Sequence, residues 1–424
     1  MLRAYKYRIY PTAQQTELIN KHFGCCRLVY NLALQVKNEA YKTQNKYLSA
    51  IDLCYQLPEL KKEFEWLKEI DSQALQASIK KLDIAFKNYF RQLKDGTIEA
   101  KKKAYIKEQK IKGLPIDSGK LASIGFPKFK SKYDKQSFQC PNNTRRINWN
   151  EDTLGLPKIK GIPIVLSRTF KGKIKTVTIS RTPTNKYYAS VLVETGESIP
   201  AKKMVTEQTA VGIDLGLHHF IVTSDGVKID NPKYLRKKIL HLKYLQRQAS
   251  HKVKGSNNRR KANLKVAIQH ERITNSRKDF LHKLSHEITN QYDTLCFEDL
   301  NIAGMTKNHK LAQAITDAGW GMYVDFCKYK AEWKGKNILQ IPTFEPSTKL
   351  CNVCGAVNHT LTLADREWVC ANCTTLHDRD ENAAKVIKNY CLKNCGGVHR
   401  KKPVEMLALA KSTKQEVIRV GNYL

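Results

Sequence analysis

Two cysteine pairs near the C-terminal end constrain folding more than any other feature of this chain. Cys351-Asn352-Val353-Cys354 and Cys370-Ala371-Asn372-Cys373 are separated by residues 355–369. Two CxxC knuckles at that spacing bring four thiolates around one tetrahedral Zn²⁺, so the segment between them must close as a zinc ribbon. Gly355 suits the tight turn of the first knuckle. Four sulfurs leave no open coordination position, so the expected role is structural rather than catalytic. His359 and His377 lie nearby and are surplus to the ligand count. The other cysteines (Cys25, Cys26, Cys54, Cys140, Cys296, Cys327, Cys391 and Cys395) read as core or surface thiols, with Cys391 and Cys395 an alternative metal pair.

Charge is the next constraint. Lys and Arg number 74 against 39 Asp and Glu, a formal net charge of +35 on 424 residues. That excess calls for a polyanion partner, and nucleic acid is the common one. No stretch approaches the roughly 18–20 apolar residues that a membrane span needs. The opening Met1-Leu2-Arg3-Ala4-Tyr5-Lys6 lacks the apolar run of a signal peptide. A cytoplasmic protein with reduced cysteines, no membrane partner and two to four domains is expected.

Residues 2–10 alternate like a strand until Pro11 and Thr12 break the pattern, and a helix begins near Ala13. A second helix is expected over 72–91, where Leu75, Ile79, Leu82, Phe86 and Phe90 mark one core-facing stripe. The Lys-rich stretch 100–112 reads as a mobile segment. From Phe126 the character changes to short alternating runs, 162–166, 173–180 and 187–194, which predict a small β-barrel or sandwich. If residues 2–10 join it, the helices are an insertion into a β domain. After a polar linker at 201–209 come two strands within 210–223 joined at Gly216-Leu217. A basic helical hairpin over 232–291 breaks at Lys254-Gly255-Ser256-Asn257-Asn258. A strand at 294–300, a helix at 323–334, a strand at 337–341 and a helix from about Asp380 complete the pattern.

Three acids sit where acids are costly. Asp214 lies inside the apolar run Val211-Gly212-Ile213-Asp214-Leu215-Gly216, and Glu298 ends the run Leu295-Cys296-Phe297-Glu298. A carboxylate buried without a partner is unfavourable, whereas Mg²⁺ is held by oxygen ligands. Two Mg²⁺ ions about 3.5–4 Å apart hydrolyse phosphodiesters by activating water and stabilising the leaving oxygen. Asp380, in His377-Asp378-Arg379-Asp380-Glu381-Asn382-Ala383-Ala384, opens a helix and can complete such a cage. Each acid also has a plain reading: turn residue for Asp214, solvated strand end for Glu298 and Asp299, helix cap for Asp378 or Asp380.

At these residues the chain resembles TnpB, an insertion-sequence family related to type V CRISPR nucleases, nearly end to end. The likeness is carried by Tyr5-Lys6-Tyr7-Arg8-Ile9-Tyr10-Pro11, Arg27-Leu28-Val29-Tyr30-Asn31, Gly125-Phe126-Pro127-Lys128-Phe129-Lys130 and Arg277-Lys278-Asp279-Phe280. It is strongest at Gly212-Ile213-Asp214-Leu215-Gly216, Phe297-Glu298-Asp299-Leu300, the cysteine module and 378–384. The resemblance implies an α/β RuvC (RNase H-like) nuclease domain with an inserted four-Cys zinc ribbon. A wedge β-barrel interrupted by a helical recognition domain would precede it. The implied boundaries are 1–10 wedge strand, 11–120 recognition domain, 121–205 wedge remainder, 206–345 first RuvC segment, 346–376 zinc ribbon, 377–393 second RuvC segment and 394–424 basic tail.

The family's triad falls on Asp214, Glu298 and Asp380, which prefers Asp380 over Asp378 as metal ligand. The implied activity is RNA-guided DNA cleavage, with two Mg²⁺ and one structural Zn²⁺ as cofactors. A guide RNA from the transposon end and double-stranded target DNA are the implied partners of a prokaryotic, nucleoid-associated monomer. Base pairing would supply specificity while the protein grips backbones by charge. Gln73, Gln76 and Lys80 are candidate readers of a short DNA motif, since amides suit adenine edges and Lys suits guanine. Arg379 is a candidate phosphate contact. A non-cleaving RNA-guided regulator and a strand-transferring transposase are the competing readings.

Overall fold

The computed structural model describes residues 1–141, 146–342, 347–362 and 365–395, and the chain divides into two compact units, Met1–Ser198 and Ile199–Leu424. Most of the basic tail expected over 394–424 lies outside the described residues.

The first unit runs β1 (Leu2–Ile9), α1 (Ala13–Gln44), α2 (Ala50–Tyr55), α3 (Leu57–Glu63), a 3-10 turn (Glu65–Glu69), α4 (Ser72–Lys94), α5 (Thr97–Ile111) and α6 (Ser118–Ala122). Then follow β2 (Gln136–Pro141), β3 (Arg146–Asn148), β4 (Thr153–Leu156), β5 (Ile159–Val165), β6 (Lys173–Arg181) and β7 (Tyr187–Glu194). The switch from strand to helix at residue 12 is local chemistry. Thr12 Oγ1 accepts the Gln15 N–H while the Gln15 side chain accepts the Thr12 N–H, a reciprocal cap.

The seven strands form one antiparallel sheet in the order β2-β6-β7-β1-β5-β4-β3. β1 therefore sits inside the sheet, paired along its length with β7 and at its end with β5. The helices are thus an insertion between β1 and the later strands, as the alternation suggested. Among the described residues the pairing runs in one line from β2 to β3, with no ladder joining those two.

One core serves sheet and helices, with Tyr7 and Ile9 of β1, Phe23 of α1, Leu75 and Ile79 of α4, and Val177 and Val191 of the sheet all buried in it. Burying a Leu or Ile side chain contributes about 1.5–3 kcal/mol, so the α4 stripe is a principal source of stability. Phe90 departs from the expected stripe. It is 51% exposed and rests edge-on against Tyr89, because the helix has run past the core by that turn. The segment expected to be mobile at 100–112 is mostly α5. Ala, Lys and Glu are good helix formers without a core face, and only Ile98 of that helix is buried.

The second unit runs β8 (Ala210–Leu215), β9 (His219–Thr223), β10 (Lys228–Asp230), α7 (Tyr234–Ser250), α8 (Asn257–Gln291), β11 (Thr294–Glu298), α9 (Ile302–Met305), α10 (His309–Ala318) and α11 (Trp320–Trp333). It continues with β12 (Asn337–Ile341), β13 (Glu367–Val369), β14 (Leu376–Asp378) and α12 (Arg379–Cys395). Its five-stranded mixed sheet has the order β10-β9-β8-β11-β12. The meander β8-β9-β10 is antiparallel, while β11 runs parallel to both β8 and β12.

Val211 and Ile213, with Leu295 and Phe297, face a core built with Leu281, Leu284, Trp320 and Tyr323 of the covering helices. Cys296 and Ile341 face the other way, onto Ile387 and Cys391 of α12. Helix α8 ends on lysines: Lys334 Nζ donates to the Thr289 carbonyl at 3.4 Å and Lys336 Nζ to the Asn290 and Tyr292 carbonyls at 3.0 and 2.9 Å. Cations there satisfy the orphan carbonyls and the negative end of the helix dipole. Asp317 of α10 does the converse at the start of α7, accepting the Leu235 and Arg236 N–H groups and pairing with Arg277 of α8 at 2.8 Å. No helix among the described residues is long and apolar enough to cross a membrane.

Candidate carboxylate site and cysteine cage

Strand alternation decides which side chains meet. β8 sends Val211 and Ile213 to one face, so Gly212 and Asp214 point to the other, towards α12. β11 does the same with Cys296 and Glu298. Phe297 is the register partner of Ile213, so one step further both strands end in a carboxylate, Asp214 and Glu298, on the same face.

Helix α12 supplies the third acid because it packs unusually close. A Cβ on Gly212 would stand 1.9 Å from the Ala384 carbonyl oxygen and 2.8 Å from the Lys388 nitrogen, so only glycine admits the helix at this distance. Asp380 lies one helical turn before Ala384, on the same face. The three acids thus converge at the C-terminal ends of the parallel strands, where open α/β sheets bind ligands.

The electrostatics follow. The Asp214 carboxyl is pushed up to about 7, first by burial, then by Asp380 and Glu298, against the pull of Arg379. Glu298 is also raised, by burial and then by Asp299. Asp380 is gripped on both oxygens: Arg366 Nη1 donates to Oδ2, and Arg379 Nε and Nη2 donate to Oδ1, all at 3.3 Å. Asp378 has a different task. Its Oδ1 accepts the Glu381 N–H at 2.9 Å, capping α12, and its Oδ2 pairs with Lys228 at 2.6 Å. The same contacts hold Asp378 below the usual carboxylate range.

The cysteine module is the other candidate metal centre. The sulfurs of Cys351, Cys354, Cys370 and Cys373 all lie within 4.8 Å of one another, and among the described residues no other acid, His or Cys group clusters this tightly. The Cys351–Cys373 and Cys354–Cys370 sulfur pairs are each 3.6 Å apart. Tetrahedral zinc with Zn–S near 2.3 Å needs sulfurs about 3.8 Å apart, so the cage has the right size. None of the four is in a disulfide. His377 stands against the cage, Nε2 3.1 Å from Cys351 Sγ. Cys391 is buried in the sheet–α12 core, away from any such cluster; the Cys395 side chain lies outside the described residues.

The cage and the carboxylate helix are joined by a residue that sequence reading passed over. Asn382 is 2% exposed; its Nδ2 donates to the Leu350 carbonyl at 2.7 Å and its Oδ1 accepts the Asn352 N–H at 3.0 Å. Nothing in its spacing marks it, although it lies inside the 378–384 motif. Arg366 was also missed, since its hold on Asp380 is made only by the fold. Arg379 is more deeply held than a phosphate contact suggests: it is 8% exposed and also donates to the Thr362 carbonyl. In the first unit, Gln73, Gln76 and Lys80 share one side of α4, the two Gln half-buried and Lys80 exposed. The Gln73 side-chain oxygen is buried without a partner.

Three family models match along the chain: "Helix-turn-helix domain" over residues 1–46, "Probable transposase" over 190–309 and "Cas12f1-like, TNB domain" over 320–387. The first span holds a strand and one long helix, β1 and α1. A "Putative RNA-guided DNA endonuclease" of Streptomyces pristinaespiralis is 36% identical over 98% of this chain and 96% of its own length. The "Putative RNA-guided DNA endonuclease InsQ" of Escherichia coli K12 is 29% identical over 98% and 97%. A chain of a solved Cas12f1–sgRNA–target DNA complex matches with a TM-score of 0.46 and 14% identity over 92% of this chain and 99% of that one. The chain belongs to the TnpB family of insertion-sequence proteins, to which the Streptomyces relative is similar over nearly its whole length.

Proposed function

We propose that this chain is an RNA-guided DNA endonuclease whose Mg²⁺ site is Asp214, Glu298 and Asp380. The observation that carries the reading is the convergence of three carboxylates at the strand ends, with Asp214 pushed up to about 7 by burial and then by Asp380 and Glu298. Such repulsion in a packed site is relieved by a cation, and an all-oxygen donor set suits Mg²⁺. Two bound Mg²⁺ ions would supply an activated water and stabilise the leaving oxygen. The chain's own role is positioning: β8 and β11 fix two acids, α12 swings in the third, and Arg366, Arg379 and Lys228 balance the charge around them. The sheet order, an antiparallel meander with two parallel strands added beside its first strand, is in keeping with a RuvC (RNase H-like) domain over 206–345 and 377–393.

The four thiolates fit one structural Zn²⁺ held by Cys351, Cys354, Cys370 and Cys373, a ribbon over 346–376. The remaining assignments are a wedge β-barrel of residues 1–10 and 121–205, a helical recognition domain over 11–120 and a tail over 394–424. Guide RNA and target DNA as partners are supported by the names of both relatives and by the net charge of +35. Gln76 and Lys80, with Gln73 beside them, are the proposed readers of a DNA motif, and Arg379 reaches phosphate only by leaving Asp380.

The decisive test uses protein co-purified with RNA from its native locus. Asp214→Ala should reduce cleavage of a matched plasmid in Mg²⁺ by roughly 10³-fold or more, on the scale of a lost metal or oxyanion contact, with RNA and DNA binding retained. Full cleavage by that variant would sink the assignment. The "Probable transposase" description keeps strand transfer as a second reading, favoured only if purified protein without RNA yields joined products.

A further inference from the structure

Two motifs of the first unit have no role in the carboxylate chemistry: Arg27-Leu28-Val29-Tyr30-Asn31 and Gly125-Phe126-Pro127-Lys128-Phe129-Lys130. The fold brings them together. Asn31 Oδ1 accepts the Lys130 N–H at 2.8 Å and its Nδ2 donates to the Lys130 carbonyl at 3.0 Å. The Lys130 ammonium lies 3.6 Å from the centre of the Tyr30 ring. Its backbone and its head are thus both fixed by the helix α1 motif.

Beside it is a half-open cavity of about 160 Å³ between α1, α4 and β2, lined by Arg27, Lys81, Lys130 and Lys135 with a single acid, Asp134. One water needs only about 10–15 Å³ on the same measure. Asp134 is engaged with the Ser131 N–H at 2.7 Å, and neither Lys81 nor Lys130 has a carboxylate within salt-bridge distance among the described residues. Burial first, and then a neighbouring lysine, pushes both ammonium groups down: Lys135 acts on Lys81, and Lys81 on Lys130, which falls to about 8. Holding like charges together in a partly buried recess is costly unless an anion joins them.

We propose that Arg27, Lys81, Lys130 and Lys135 form a pocket that seats one phosphate of a bound nucleic-acid backbone. The class of occupant rests on the nucleic-acid reading above, whereas the pocket as an oxyanion site does not. It divides labour within α4: Lys81 and the α1 side anchor a backbone, leaving the other face of the helix free for base edges.

The test is the salt dependence of binding by the full chain to a single-stranded RNA and, separately, to duplex DNA. It compares Lys81→Met/Lys130→Met with a control of equal charge loss, Lys62→Met/Lys68→Met, whose lysines are exposed and paired with Glu59 and Glu65. The site variant should lose about 1 from the slope of log K against log salt and about tenfold in affinity. The polymer affected identifies the phosphate's source. Equal losses in both variants, or none in either, overturn the proposal.

Should the site variant not fold, amine-reactive labelling of the wild type decides: nucleic acid should protect Lys81 and Lys130, and undiminished labelling overturns it. If the wild type binds neither polymer, the nucleic-acid reading fails and this occupant with it. Inorganic phosphate then tests the oxyanion site by itself: it should raise the melting temperature of the wild type more than that of the site variant, and an equal rise would remove it too. Because the readouts are binding and stability, loss of cleavage in Asp214→Ala leaves this result untouched.

Discussion

The carboxylate site and the cysteine cage lie in one unit, joined by Asn382, yet they are built in opposite ways. The cage is nearly local. Its four ligands come from 351–373, its sulfurs already stand at the spacing of a tetrahedral site, and its reach is set by two knuckle turns. The carboxylate site draws Asp214, Glu298 and Asp380 from three distant segments, and the fold holds them together against their repulsion. A local site can be specified by spacing; an assembled one needs a helix packed on a sheet at glycine distance. On the proposed reading, metal would supply folding energy to the first and relieve repulsion in the second.

Breaking the cage should give the largest change. Cys370→Ser is expected to abolish bound zinc, read by atomic absorption, and to cost on the order of 5 kcal/mol of stability by denaturant melting. If zinc were retained at one per chain, the four-thiolate assignment would be wrong.

Gly212→Ala attacks the other region. The added methyl must push α12 away from β8, since its nearest atom is a backbone carbonyl at 1.9 Å. A displacement of about 1 Å costs roughly 100-fold in rate, so plasmid cleavage should fall by that factor while the zinc content stays at one. Unchanged cleavage would mean that α12 does not position Asp380.

A pH series separates the two regions next. Asp214 has its folded pKa raised from 3.8 to about 7, so the native state holds a proton that the unfolded chain releases above about pH 4. Stability from this group is therefore present below that pH and is lost as pH rises towards 7. Asp214→Asn removes the loss. With chelator present it should be more stable than wild type by up to about 4 kcal/mol at pH 8, at about 1.4 kcal/mol per unit, with little difference at pH 4. Mg²⁺ should shrink the gap by stabilising the wild type. A gap independent of pH in thermal melts would contradict the repulsion account.

Asn382→Ala should have the smallest effect, about 1–3 kcal/mol, the cost of unsatisfied backbone groups at Leu350 and Asn352. Cleavage is expected to fall while zinc remains bound. Equal loss of zinc and cleavage would show that the cage itself depends on α12.

The periodicities that decide secondary structure are written in neighbouring residues, so much of the fold was legible. The strand at 2–9, the α4 stripe, the hairpin of α7 and α8 and the parallel strands all follow from alternation, helical spacing and turn residues. The two cysteine knuckles belong to the same class. Residues 100–112 misled because Lys content signals solvent exposure, and exposure does not prevent a helix. Phe90 misled because a stripe shows which face packs, not how far the partner extends. Of the seven strands in the first unit's sheet only β1, β5, β6 and β7 were legible; β3 and β4 are three and four residues long, too short to display an alternation.

By itself the sequence determined which residues are acids, thiols and strand formers, and the family resemblance proposed Asp380 rather than Asp378 as the third carboxylate. Only the tertiary structure decided how the two acids differ. Asp378 is spent capping α12 and pairing Lys228, while the close seat of α12 on Gly212 turns Asp380 towards Asp214. It alone set Arg366 on Asp380, Asn382 between cage and helix, and Lys81 beside Lys130. Such contacts join residues tens to more than a hundred positions apart, and no local pattern encodes a distance that only packing creates.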